Sequence, residues 1–71
     1  MKIIILGAGQ VGSSIAEILS RENNDITLVD RDRRLLDRQQ DRMDIRTVVG
    51  DASSPEVLIQ AGAEDVDLLL A

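Results

Sequence analysis

Tryptophan, tyrosine, phenylalanine, histidine and cysteine are all absent from this 71-residue chain. Without aromatic rings the core has to be assembled from Ile, Leu, Val, Ala and Met, and forgoes the ~150–250 Å² that each aromatic side chain buries. Without cysteine there is no disulfide framework, no thiolate nucleophile and no zinc–thiolate site, an absence that is neutral about compartment. Without histidine as well, the two commonest side chains for proton transfer and nucleophilic attack near neutral pH are missing, and only Asp and Glu remain as main candidates. That weighs against a self-contained enzyme, and neither a catalytic nor a metal-ligating set is expected. No apolar run approaches the ~18 residues that span a bilayer, and no cationic segment precedes a short apolar core with a small-residue cleavage site. The expectation is a soluble, cytoplasmic chain with no direct membrane insertion. A basic face is lacking too: the formal net charge is −5 and the arginines alternate with aspartates, which argues against nucleic acid as a partner.

What is present begins with one stretch, Lys2-Ile-Ile-Ile-Leu-Gly-Ala-Gly-Gln-Val-Gly12. An apolar run of strand formers passes into Gly7-x-Gly9-x-x-Gly12 and then into a helical pattern, the context in which this glycine spacing means dinucleotide binding. Gly7 lets the chain turn off the strand, Gly9 presents no side chain to a pyrophosphate, and Gly12 lets the helix lie close to the strand. Phosphates would sit on the backbone N–H groups of the loop Gly7, Ala8, Gly9, Gln10, Val11 and Gly12, where the helix dipole favours negative charge. No basic side chain is needed there, and none is present. Asp30 follows Gly12 by eighteen residues, near the ~20 at which this fold places the ribose-binding carboxylate. Its charge would repel a 2′-phosphate, which favours NAD-type ligands. An alternative is that Asp30 caps the next helix.

Along the chain, Lys2 to Leu6 reads as a central parallel strand, apolar on both sides. Val11, Ile15, Ile18 and Leu19 fall at i, i+4, i+7 and i+8, an apolar helical stripe, and Asn23-Asn24-Asp25 ends that helix. Ile26 to Val29 is the second strand, closed by Asp30. Arg31 to Met43 is charge-rich, anchored by Leu35, Leu36 and Met43, with Arg33–Asp37 and Arg38–Asp41 spaced to pair on a solvated face. Arg31 is either a solvating residue or one that lies over an adenine or near a phosphate. Ile45 to Val49 is a third strand, and Arg46 marks it as an edge. Asp51 is either an acceptor for an adenine amino group, with Ala52 packing on the base, or a turn residue. Ser53 with Glu56 offers a capping box, and Ser54 followed by Pro55 offers a cap one residue later. The short helix that follows stops at Gly62, and Asp67 to Ala71 reads as a fourth strand.

The alternation β-α-β-α-β-α-β with short connections gives a Rossmann-like α/β fold. It is a parallel sheet of order 3-2-1-4 with right-handed crossovers, a truncated three-layer α/β/α arrangement. Two helices would cover one face and the third only part of the other. The last strand would present a bare apolar edge of Leu68, Leu69 and Leu70. Residues 1–71 therefore read as the N-terminal part of a larger nucleotide-binding domain, prone to self-association through that edge or face. Such a small unit buries only ~60% of its unfolded surface, so marginal stability is expected.

Met1-Lys-Ile-Ile-Ile-Leu-Gly-Ala-Gly-Gln-Val-Gly12, Glu22-Asn-Asn-Asp-Ile-Thr27 with Val29-Asp30, and Leu58-Ile-Gln-Ala-Gly-Ala-Glu-Asp65 together resemble the N-terminal domain of bacterial Trk-system potassium-uptake regulators. These belong to the family whose domains regulate the conductance of potassium channels and transporters. The resemblance covers essentially the whole chain. It implies a non-catalytic regulatory domain that binds NAD(H), and in the family also ATP or ADP, within an oligomeric ring on the cytoplasmic side of a membrane potassium transporter. Ligand identity would change the shape of the ring and gate ion transport. By the same resemblance Gly7 to Gly12 would hold phosphates, Asp30 the adenosine ribose, and Asp51 with Ala52 the adenine side. The runner-up is the N-terminal half of an NAD-dependent oxidoreductase, since one fold serves both. A trimmed or designed folding module without activity is a third reading.

Overall fold

A computed structural model describes residues 1–71. Seven elements follow one another: β1 (Lys2–Leu6), α1 (Gln10–Ser20), β2 (Asp25–Asp30), α2 (Arg33–Arg42), β3 (Arg46–Val49), α3 (Pro55–Gln60) and β4 (Leu68–Leu70). All strand pairs are parallel and the order is β3-β2-β1-β4, as the alternating pattern predicts. Ile3 pairs with Ile26 on one side and with Leu68 on the other, so β1 lies inside the sheet. Its isoleucines are accordingly buried on both faces, the condition that makes a parallel strand continuously aliphatic.

The period-2 alternation of the strands divides the core into two layers. Ile3, Ile5, Ile26 and Leu28 meet Ala16, Ile15 and Leu19 of α1 and Leu36 and Leu35 of α2. Ile4, Val29 and Val48 form the smaller layer, packed by Val57, Ala61, Ala63 and Val66. Each fully buried Ile, Leu or Val side chain contributes roughly 1.5–3 kcal/mol relative to exposure, which is how a core without a single ring holds together. The second face is thinly covered by α3. β4 leaves Leu68 and Leu69 40% and 47% exposed, the apolar edge that the sequence implies.

Helix boundaries follow local chemistry. After α1, Asn23 takes φ 63° and Asn24 donates from Nδ2 to the Leu19 carbonyl at 3.0 Å, a left-handed exit that Asn tolerates. Pro55 stands in the first turn of α3 behind Ser54 at the N-cap. The capping box does not form. Ser53 Oγ donates instead to Asp51 Oδ1 at 2.8 Å, and Glu56 is exposed at the helix start.

Two further expectations are corrected by packing. On α1 the buried stripe is Ile15, Ala16 and Leu19, whereas Val11 and Ile18 are 73% and 57% exposed. The helix sits with its small Ala16 against the strands, and that rotation carries Val11 and Ile18 outwards. On α2 neither Arg33–Asp37 nor Arg38–Asp41 pairs. Glu17 of α1 instead takes Arg21 at 2.8 Å and Arg42 of α2 at 3.3 Å, because the two helices lie side by side and present a carboxylate with partners from both.

Leu36 is the only fully buried apolar anchor of α2. Leu36→Ala is expected to cost ~2–5 kcal/mol through lost transfer and a residual cavity. Ile18→Ala should change stability by less than ~0.5 kcal/mol, as exposed substitutions do. Urea denaturation of the two variants checks both values, and equal losses would contradict this placement of α1.

Candidate functional site

The carboxyl ends of β1, β2 and β3 form one rim, the place where parallel α/β sheets bind ligands. β1 runs into Gly7, whose φ of +109° is open to glycine and strained for other residues. Its N–H donates to the Val29 carbonyl at 2.7 Å, which ties the turn to β2. One helical turn on, a Cβ at Gly12 would stand 2.0 Å from the Gly7 carbonyl oxygen. The absence of a side chain at Gly12 is therefore what allows α1 to descend this close to β1.

Gly9 differs from both. Its φ of −70° is ordinary, and a Cβ there would meet no protein atom within 4 Å. Neither backbone strain nor internal packing calls for glycine, and the space above Gly9 is open. Gly9 is also the N-cap of α1 and offers no side-chain acceptor, and no acidic residue stands in the first turn. The N–H groups of Gln10, Val11 and Gly12 have no intrahelical acceptor by helix geometry. This end of α1 thus presents backbone donors and a positive dipole end to an anion. A cleft of 330 Å³ adjoins it, lined by Gly7, Gly9, Gln10 and Gly12 with Leu6, Val11 and the end of β4 among its apolar walls.

Asp30 closes the rim. Its Oδ2 accepts the Ala8 N–H at 2.8 Å, and its Oδ1 accepts the Asp32 N–H at 2.8 Å. The helix-cap role falls to Asp32, whose Oδ1 accepts the Arg34 N–H at 2.9 Å. The Asp30 carboxylate clamps the glycine loop to β2 and keeps a further lone pair on each oxygen for a hydroxyl donor. The Asp30 carbonyl in turn accepts the Gly50 N–H at 2.9 Å, which joins the rim to the end of β3.

Arg31 and Asp51 come together although twenty residues apart: Arg31 Nη2 donates to Asp51 Oδ2 at 2.7 Å. Asp51 Oδ1 accepts both the N–H and the Oγ–H of Ser53, at 2.9 and 2.8 Å. The turn role of Asp51 is therefore realised. These bonds lower its pKa to about 2, the Ser53 N–H first, then the Ser53 hydroxyl and Arg31. Ala52 is half-buried and packs on the Ile4, Val29 and Val48 layer. Two residues that the sequence reading passed over also shape the site. Ser13 donates from Oγ to the Ala8 carbonyl at 2.9 Å, and Gln39 is buried beside the loop end of α1. The hydroxyl four residues beyond Gly9 was a visible signal, whereas nothing local distinguishes Gln39 within a polar helix.

Residues 3–71 match the family described as the TrkA-N domain. The whole chain is 62% identical to the Trk system potassium uptake protein TrkA of Halomonas elongata and 59% identical to that of Vibrio alginolyticus, and spans 16% of the length of each. A Methanosarcina mazei homologue is 37% identical over all 71 residues, 17% of its own length. Among solved structures, the TrkA-N domain of the Escherichia coli inner membrane protein ybaL superposes with TM-score 0.86 at 26% identity, covering 96% of this chain and 50% of that one. The Kef CTD of Shewanella denitrificans in AMP-bound form gives TM-score 0.82 at 29% identity, over 97% of this chain and 40% of that one.

Two outcomes follow from the geometry. Gly12→Ala should destabilise by ~1–3 kcal/mol or prevent folding, because the new methyl meets backbone that cannot turn aside; thermal melts followed by circular dichroism check this. For Asp51, a folded pKa below the ordinary 3.8 means that its anion favours the folded state above that pH, and the contribution is lost as pH falls through about 2. Carbon-13 carboxyl titration should place its midpoint near 2 and move it upward in Ser53→Ala. An unmoved midpoint would show that the Ser53 hydroxyl is not a cause, since the variant keeps the backbone N–H.

Proposed function

Because the chain belongs to the TrkA-N domain family, we propose that it is a nucleotide-binding regulatory domain of a potassium uptake system. The observation that carries this reading is Gly9, open to solvent at an uncapped helix N-terminus and unexplained by the chain's own packing. A phosphate group fits that gap, and the donors around it are backbone N–H groups. In this reading Gly7 to Gly12 hold the phosphates and Asp30 accepts the adenosine ribose hydroxyls through its remaining lone pairs. Arg31, Asp51 and Ala52 form the adenine side, where an exocyclic amino group would compete with Arg31 for Asp51. NAD(H) is the ligand class, with ATP, ADP or AMP as adenine-nucleotide alternatives; the AMP-bound Kef CTD supports the adenosine moiety.

Residues 1–71 act in this proposal as the N-terminal part of a Rossmann-type domain that sits on the cytoplasmic face of a membrane transporter. It meets further copies through surfaces such as the exposed β4 edge. No helix is long and apolar enough to cross a membrane, so attachment would run through the transporter subunit. Regulation needs only that a nucleotide bind two assembly states unequally, and it shifts their balance by no more than that difference. The chain's role is binding rather than catalysis.

Isothermal titration with NADH, NAD, AMP, ADP and ATP tests the site, with Gly9→Ala as the diagnostic variant. The methyl group meets no protein atom, so stability should fall by at most ~1 kcal/mol, the range of N-cap changes, while nucleotide affinity drops at least about tenfold, equivalent to ~1.4 kcal/mol. Unchanged affinity in Gly9→Ala, or no binding of any nucleotide to the wild type, would overturn the assignment.

A further inference from the structure

Arg31 follows β2 and Asp51 follows β3, and the two meet across the rim, where Arg31 Nη2 donates to Asp51 Oδ2 at 2.7 Å. This is the only hydrogen bond or ion pair that the Arg31 side chain makes. With 75% of that side chain exposed, the pair belongs to the surface ion pairs that add little to stability. Nor is it needed to join the two strand ends. The backbone already does so, the Gly50 N–H donating to the Asp30 carbonyl at 2.9 Å.

Asp51 is held quite differently. Its Oδ1 accepts both the N–H and the hydroxyl of Ser53, and its carbonyl accepts the Ser54 N–H at 3.0 Å, so the carboxylate keeps its place and orientation without Arg31. It also keeps its charge, since the two Ser53 bonds lower its pKa more than Arg31 does. A carboxylate offers about four lone-pair positions. Those of Oδ1 are taken by Ser53, so an incoming donor meets Asp51 at Oδ2, where the guanidinium already sits. One partner of the pair is fixed and the other is free to leave.

We propose that Arg31 is a displaceable internal competitor for Asp51 Oδ2, a latch that an adenine amino group opens when a nucleotide settles on the rim. This role rests on the proposed nucleotide site and gives it base selectivity: a base with an amino donor gains Asp51 in exchange for the latch, and a base without one gains nothing. Removing a cation from beside an anionic ligand ordinarily weakens binding. Here the loss of Arg31 strengthens it, because a closed latch lowers the fraction of the chain that is ready to bind.

The test is isothermal titration of the wild-type chain and of Arg31→Ala with two ligands, AMP and purine riboside 5′-monophosphate, which has the same sugar and phosphate and lacks the amino group. Arg31→Ala is expected to bind AMP at least about threefold more tightly, the scale on which an exposed ion pair holds a site closed. It is expected to bind the purine riboside ligand no more tightly than the wild type does. Unchanged or weaker AMP binding in Arg31→Ala would overturn the latch and leave the nucleotide site standing, and equal tightening of both ligands would do the same. Binding of neither ligand to either protein would overturn the nucleotide reading and the latch with it.

Discussion

Everything at the rim depends on how closely α1 approaches the end of β1. A side chain at Gly12 would fall 2.0 Å from the Gly7 carbonyl, so the absence of one atom fixes the distance between helix and sheet. Given that distance, Gly7 turns with φ +109°, its N–H reaches Val29 and the Ala8 N–H reaches Asp30. The loop is then held by β2 as much as by its own strand. A helix N-terminus is a weak anion site when it frays, and a strong one when its donors are fixed before the ligand arrives. Here the fixing is done by contacts across 22 residues of sequence.

The same clamp bears on how an acidic chain could present the candidate anion site. With a net charge of −5, long-range electrostatics disfavour an anionic ligand, and screening reduces that penalty beyond about 10 Å at 0.1 M salt. What operates at contact distance is local: N–H groups and the helix dipole on one side, Asp30 on the other. Both Asp30 oxygens are held by backbone donors, the N–H groups of Ala8 and Asp32. The acidic rim and the glycine loop lie side by side because the Asp30 carboxylate is oriented by hydrogen bonds to backbone N–H groups.

Stability and function draw on the same few aliphatic residues. The larger core layer sits under α1 and α2, and the smaller one under α3, so the sheet is well covered where the glycine loop enters α1. The edge at β4 is the less protected part, with two leucines in partial contact with water. An unpaired apolar edge of this kind is normally covered or paired.

The fold class, the strand order and the candidate nucleotide loop were legible in the residues because each rests on a short-range signal. The signals are strand-forming runs, glycine spacing, an acid at the end of the second strand, and caps such as Asn23 and Pro55. What the sequence left open was settled by the hydrogen bonds and packing of the folded chain. Asp30 proved to clamp the loop while Asp32 caps α2, and Asp51 proved to be a turn residue paired with Arg31. Periodicity assigned Val11 and Ile18 to the buried stripe, but the seating of Ala16 against the sheet turned them to solvent, since a period fixes which residues share a face and not which side chain docks. Gln39 carried no local mark at all; only the packing of α1 beside α2 buries it. Short-range chemistry thus determined the elements and their order, and the geometry of the folded chain decided which polar groups are spent inside the fold and which remain free.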